Sequence, residues 1–226
     1  MEGALPKAKA WSKGKAGSKG KTRSKGKLSS KEKTVRKEKT MPKDKVGGWK
    51  QLSVEEVYEN PWIKITHEEV QTPSGTPGIY GVVHFKNRAV GVIPIDEEGN
   101  TWLVRQSRYT LDCFTWEIPE GGAPYGESML EAAKRELEEE TGLLAGQWRE
   151  LMTLHQSNSV SDEMAKLYVA RNLSQGIQQL EATEDITLKK MPIKEAIAMV
   201  KSGEITDALS VAGLQALALE MWESGD

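Results

Sequence analysis

Apolar residues are sparse up to residue 48 and regularly placed from Trp49 onward. Residues 49–59 hold Leu52, Val54, Val57 and Tyr58 in a weakly alternating order that predicts an extended segment. Residues 62–71 set Ile63, Ile65, His67 and Glu69 against Lys64, Thr66, Glu68 and Val70, a period near two that predicts a half-buried strand. Pro73, Ser74, Gly75, Pro77 and Gly78 mark a turn, and residues 79–85 read as the next strand. The continuous apolar run at 89–95 predicts an inner strand. Residues 96–100, DEEGN, predict a hairpin turn with 101–108 as the returning strand, and 116–119 a short strand leading into Gly121 and Gly122. The period then changes. Leu130, Ala133 and Leu137 recur every three or four residues, with Met129 and Ala132 beside them, and Gly142 follows where a helix-closing glycine belongs. Strands are predicted at 147–155, 164–170 and 186–190, and helices at 193–201 and 207–222. Strands on both sides of a central helix predict an α/β or α+β sandwich with a mixed sheet.

Charge divides the chain at the same place. Of 31 Lys and Arg and 33 Asp and Glu, the first 50 residues hold 17 and 4, which leaves 14 and 29 for the rest. A basic segment of low complexity, with repeats such as Lys13-Gly14-Lys15, precedes an acidic domain. The expected division is a disordered tail over 1–48 and a folded domain over 49–226. So few apolar residues cannot offset the entropy of ordering the tail. A polybasic arm suits nucleic acid or another polyanion. A solvated extension without a partner weighs more, because Trp11 is the tail's one aromatic before Trp49. A transit peptide and a start at Met41 are the other readings of this stretch. The single cysteine, Cys113, is expected to be a plain, partly buried thiol and fits a reducing compartment. No apolar run approaches the ~18 residues of a membrane helix. The expected location is the cytoplasm, without a membrane partner.

Residues 121–143 read GGAPYGESMLEAAKRELEEETGL. On a helix, Glu136 and Glu140 share a face and Glu139 joins them. Three crowded carboxylates repel one another, and a hard divalent cation relieves that repulsion. Leu130, Ala133 and Leu137 would bury another face. Gly121 would allow a backbone conformation that other residues resist. Arg135 reaches Glu139 at i+4 and can fix its orientation. An acidic helix alone is more often a solvated face than a metal site. The spacing of the whole motif, with its glycine-rich start, reverses that weighting.

With every defining position filled, the motif is identified as a Nudix box, and the chain resembles Nudix hydrolases over about residues 49–222. The resemblance implies a Nudix α/β/α sandwich with a mixed sheet. It implies Mg²⁺, with Mn²⁺ as substitute, held by Glu136, Glu140 and Glu139 and by the backbone carbonyl of Glu120, with Glu127 in the outer shell. TWEIPEGG and the upstream LVRQSRY are similar to the branch acting on ADP-ribose and nucleotide sugars, although Ser107 replaces an aromatic. Arg105 or Arg108 would pair with a phosphate or with the box glutamates. The loop SNSVSDE at 157–163 resembles one that supplies a water-activating glutamate. Glu163 is therefore the candidate general base and Asp162 the fallback, against the reading of an exposed polar turn. Asn158 replaces an expected proline, which leaves nucleotide sugars open beside ADP-ribose. Tyr58 or Trp62 would stack on the base, with core packing the competing and weightier role. His67, His84 and His155 read as strand histidines. Relatives in this branch imply a homodimer in which residues 49–71 reach the partner's site.

The implied reaction is hydrolysis of a nucleoside diphosphate linked to another moiety, giving a nucleoside monophosphate and a phosphorylated remainder. The alternative substrates are nucleoside triphosphates or dinucleoside polyphosphates. The alternative of another class is a ligand-sensing Nudix domain associated with nucleic acid. The intact Glu136, Glu139 and Glu140 argue against a sensor.

Overall fold

The computed structural model describes residues 37–38, 42–180 and 185–225. They belong to one unit, 35–226. Most of the segment read as a disordered tail lies outside the described residues. Two short strands do fall inside it: β1 (Lys37–Glu38) and β2 (Lys43–Asp44) both pair with β3 (Lys50–Glu59). Strand pairing thus begins ahead of residue 49. β3, β4 (Ile63–Gln71) and β5 (Pro77–Phe85) continue this first sheet, antiparallel throughout.

β6 (Asn87–Pro94) opens the second sheet, whose order is β10 (Leu143–His155), β11 (Met164–Gln175), β6 and β9 (Glu120–Pro124). β11 and β6 run parallel, aligning Ala165 with Ala89; the other pairs are antiparallel, so the sheet is mixed. A third, antiparallel sheet joins β12 (Thr187–Pro192), β7 (Asn100–Arg108) and β8 (Cys113–Glu117).

The turn at 96–100 forms, but it does not join paired strands. Asp96 N–H reaches Asn100 O at 3.0 Å, and Asp96 Oδ1 accepts Asn100 N–H at 2.7 Å. Beyond it β6 and β7 part into different sheets, so the hairpin expected there is a sheet crossover. Periodicity reports the faces a strand buries, not which strand lies beside it.

The faces explain the layers. Val90 and Val92 of β6, with Tyr168 and Ala170 of β11, pack on α1 (Met129–Thr141) through Met129, Ala132, Ala133 and Leu137. Ile93, Leu167 and Val169 point the other way, onto α2 (Ile193–Ser202) and α3 (Ala208–Ser224) through Ala196, Met199, Leu214 and Leu217. This is the α/β/α sandwich that the resemblance of the motif implies. No helix among the described residues is long and apolar enough to cross a membrane.

α1 starts and stops where its sequence allows. Ser128 caps it by accepting the Glu131 N–H at 3.1 Å. Gly142 adopts φ 70°, and its N–H closes the helix on Glu138 O. Two carbonyls of the last turn find outside donors: Gln178 Nε2 binds Glu140 O at 2.6 Å, and Gln179 N–H binds Glu139 O at 3.0 Å. The helix bearing the acidic motif is therefore fixed at both ends.

Candidate active site

α1 turns its apolar face to the sheet and carries its carboxylates along β9. Glu140 is 1% exposed, and its Oε2 accepts the Glu120 N–H at 2.9 Å. Glu136 is also buried and lies against Gly121 so closely that any β-carbon there would overlap its carboxyl group. Gly121 does not have a positive φ. The glycine is needed for space, not for the unusual backbone conformation expected from sequence. Two buried carboxylates are thus held along one strand, offering the hard oxygen donors that divalent cations prefer.

Arg135 is the hub of this arrangement. Its Nη1 donates to Glu136 at 2.8 Å and to Glu139 at 2.9 Å, and its Nη2 donates to Gly122 O at 2.8 Å and Glu127 Oε2 at 3.2 Å. Burial lowers the guanidinium pKa, but Glu127 and Glu136 outweigh it and raise the value overall. The predicted contact with Glu139 is present, and Arg135 also ties Glu127 to the helix. The repulsion among Glu136, Glu139 and Glu127 is relieved in part by this internal cation.

A second acidic group adjoins the first. One oxygen from each of Glu117, Glu120 and Asp207 falls within 4.8 Å of the others. Arg108 answers them: Nε donates to Glu117 Oε1 at 2.8 Å, and Nη2 donates to Glu117 Oε2 and, at 2.7 Å, to Glu120 Oε1. Burial, then the charges of Asp207 and Glu117, push the Glu120 carboxyl pKa well above its ordinary value. Asp207 also caps α3 through the Ser210 N–H, and Ser210 Oγ accepts the Ile118 N–H. Arg108 and Glu120 are expected from the sequence, whereas Glu117 and Asp207 are not. A polar residue just ahead of a helix was the available signal for Asp207.

The other candidates are more dispersed. Arg105 lies over the Phe114 ring at 4.3 Å from its centre. Tyr58 and Trp62 are 52% and 68% exposed. Core packing, the weightier expectation for both, is therefore wrong: Tyr58 sits in the last residues of β3, where neither face is buried, and Trp62 in the bend between β3 and β4. Cys113 is exposed, not partly buried. Glu163 is partly buried, and burial raises its carboxyl pKa. It lies two residues before the Ala165–Ala89–Gly122 row, at the end of the sheet where the chain leaves β9 toward α1. Asp162 is committed elsewhere, with Oδ1 on the Phe85 N–H at 3.0 Å and Oδ2 at 2.6 Å from His84 Nδ1. A carboxylate engaged on both oxygens is a poor fallback base.

Comparison with known proteins gives the family. The family profile described as the NUDIX domain matches residues 85–209, and that of the nucleoside diphosphate sugar hydrolase N-terminal domain matches 49–83. An ADP-ribose pyrophosphatase of Bacillus subtilis is 30% identical over 76% of this chain and 93% of its own length. An ADP-ribose pyrophosphatase of Mycobacterium tuberculosis is 34% identical over 74% of this chain and 81% of its own. A methanol dehydrogenase activator of Bacillus methanolicus is 32% identical over 76% and 93%. The crystal structure of an ADP compounds hydrolase superposes with a TM-score of 0.72, covering 81% of this chain and 99% of that one at 21% identity, which is a likeness of fold.

Proposed function

Since the chain belongs to the Nudix hydrolase family, in its ADP-ribose pyrophosphatase-like branch, we propose that it hydrolyses the pyrophosphate of ADP-ribose or a nucleotide sugar with Mg²⁺. The products are a nucleoside monophosphate and a phosphorylated remainder. The observation that carries this reading is the pair of buried carboxylates, Glu136 against Gly121 and Glu140 on the Glu120 N–H, both set along β9.

Glu136, Glu140 and Glu139, with the Glu120 carbonyl, would hold the metal, and Glu127 would sit behind them. Bound there, a divalent cation supplies charge neutralisation for the pyrophosphate and lowers the pKa of water. Arg135 positions the carboxylates by its hydrogen bonds to Glu127, Glu136 and Glu139 and is not itself a reacting group. Glu163 takes the proton of the attacking water; its raised pKa suits a base poised to accept one. Arg105 contributes positive charge toward the phosphates. Arg108, anchored on Glu117 and Glu120, stabilises the site more than it binds substrate. Tyr58 and Trp62, exposed on the first sheet, offer rings for the base, and a homodimer would bring such residues to a partner's site. We take the catalytic domain as residues 49–226, with β1 and β2 adding to its first sheet, and the basic tail ahead of them is peripheral to catalysis.

The test is a panel of ADP-ribose, nucleotide sugars, dinucleoside polyphosphates and nucleoside triphosphates with product analysis, run on wild type and Glu140→Gln. A nucleoside monophosphate from the first two classes, abolished in E140Q with folding retained, is expected. Activity of E140Q within about tenfold of wild type, or turnover of triphosphates alone, overturns the reading.

A further inference from the structure

The loop at 156–163 is stitched to the first sheet rather than left as an exposed turn. Val83 N–H donates to Val160 O at 2.8 Å, and Asp162 N–H donates to Val83 O at 3.3 Å. Asp162 then continues the ladder with its side chain. Its Oδ1 takes the Phe85 N–H as a strand carbonyl would, while Oδ2 meets His84 Nδ1 at 2.6 Å. A carboxylate only accepts, so His84 Nδ1 carries the proton of that bond. On its other side, His84 Nε2 lies 3.1 Å from Thr66 Oγ1, which reaches buried Glu68 at 3.3 Å. Glu68 is in turn bound by Gln51 Nε2 at 2.6 Å and Lys45 Nζ at 3.2 Å. Burial pushes the Glu68 carboxyl pKa up, but these partners, Gln51 first, hold it below the ordinary value. A hydrogen-bonded row therefore crosses β3, β4 and β5 and ends on the residue before Glu163.

We propose that His84 and Asp162 are a positioning pair that fixes loop 156–163 on the first sheet and thereby sets the placement of Glu163 for water activation. The proposal rests on the reading of Glu163 as the base. The reason is mechanical. Within the loop, Val160 and Ser161 N–H both return to Ser157 O, and Ser161 Oγ binds Gln156 O, so the loop is a compact body. Its ends are fixed by β10 and β11, and the Gln156 N–H to Glu163 O bond closes the base of the loop. What aims that body is its attachment to Val83, His84 and Phe85. The first sheet, distant in sequence from the acidic motif, thereby contributes to catalysis through side chains that need not touch substrate.

The experiment measures kcat, KM and thermal stability for His84→Ala, His84→Asn, Glu163→Gln and the H84A/E163Q double variant. The assay uses ADP-ribose with saturating Mg²⁺. Misplacing a reacting group by about 1 Å costs up to about a hundredfold, so H84A should lose between about tenfold and a hundredfold in kcat with KM within about threefold. H84N offers an amide donor near the Nδ1 position and should recover to within about threefold of wild type. On the E163Q background H84A should cost less than about twofold more, because the group it positions is already disabled. This last comparison holds even if H84A lowers the melting temperature. Wild-type kcat in H84A beside a crippled E163Q, equal losses in H84A and H84N, or full additivity in the double variant overturns the positioning role and leaves the base standing. Near-wild-type kcat in E163Q overturns the base itself.

Discussion

Gly121→Ala is the sharpest perturbation the structure offers, because it adds one methyl group where no space exists. The new β-carbon would overlap the carboxyl group of Glu136. Restoring ordinary non-bonded separation requires that group to move by at least about 1 Å. Glu136 has little freedom to yield, since it is buried and its Oε1 is held by Arg135 at 2.8 Å. The backbone of β9 cannot recede either, because Gly121 pairs with Val90, which is fully buried under α1. With φ outside the left-handed region, alanine adds no backbone strain. The stability cost is therefore that of local overpacking, about 1–3 kcal/mol. The functional cost is larger: displacing a metal-holding carboxylate by about 1 Å should lower kcat by roughly a hundredfold. Mn²⁺ affinity should weaken about tenfold to a hundredfold. The assays are calorimetric Mn²⁺ titration, steady-state kinetics with ADP-ribose, and a urea melt. Gly81→Ala is the control, since a β-carbon at Gly81 meets open space. If G121A matches that control in Mn²⁺ affinity and kcat to within about threefold, the assignment of Glu136 to the metal is wrong.

Arg108→Ala should destabilise the fold by about 1–3 kcal/mol in a urea melt, because it takes the counter-charge and two hydrogen bonds from buried Glu117; near-wild-type stability would make Arg108 dispensable to the fold. Burial pushes the Asp96 pKa up, but Lys190 and both Asn100 donors outweigh it and hold it down at about 2. That depressed value means its contribution is complete above the unfolded value of 3.8 and lost as pH falls toward about 2. The gap in melting temperature between wild type and Asp96→Asn should accordingly close over that window, and a gap independent of pH would refute the assignment. Removing residues 1–34 should leave kcat unchanged. Extending the deletion through Lys45 takes away β1, β2 and the cation on Glu68 together, and should cost more than the roughly 1 kcal/mol of the Lys45–Glu68 bond alone; a collapse of kcat with the shorter deletion would show that the tail is not peripheral.

What was legible in the sequence was whatever depends on near neighbours along the chain. The helix over the acidic motif, its closing Gly142 and the Arg135–Glu139 contact all follow from spacings of three to five residues. The strands were legible as segments because burial on a pleated strand alternates. Their partners were not. The turn at Asp96–Asn100 has the residues of a hairpin, yet β6 leaves for β11 and β9, while β7 joins β12 and β8. The role of Gly121 was misread for a related reason. Its identity is visible locally, but the carboxyl group it accommodates comes from another element. Arg108, Glu117, Glu120 and Asp207 converge from β7, β8, β9 and the start of α3, and no periodicity connects them. His84 looked like an ordinary strand histidine because Asp162 stands 78 positions away.

The parallel pairing of β11 with β6 also bears on how the enzyme comes into being. Ala165 must find Ala89, and β9 must close on the opposite edge of β6, before α1 has a surface to rest on. Contacts of such long sequence separation form slowly, since loop-closure entropy is lost before they reward it. On a ribosome the acidic helix would therefore emerge well before the strand that completes its platform. Catalytic competence should arrive in one step, once β11 is free to pair with β6, rather than growing with the nascent chain.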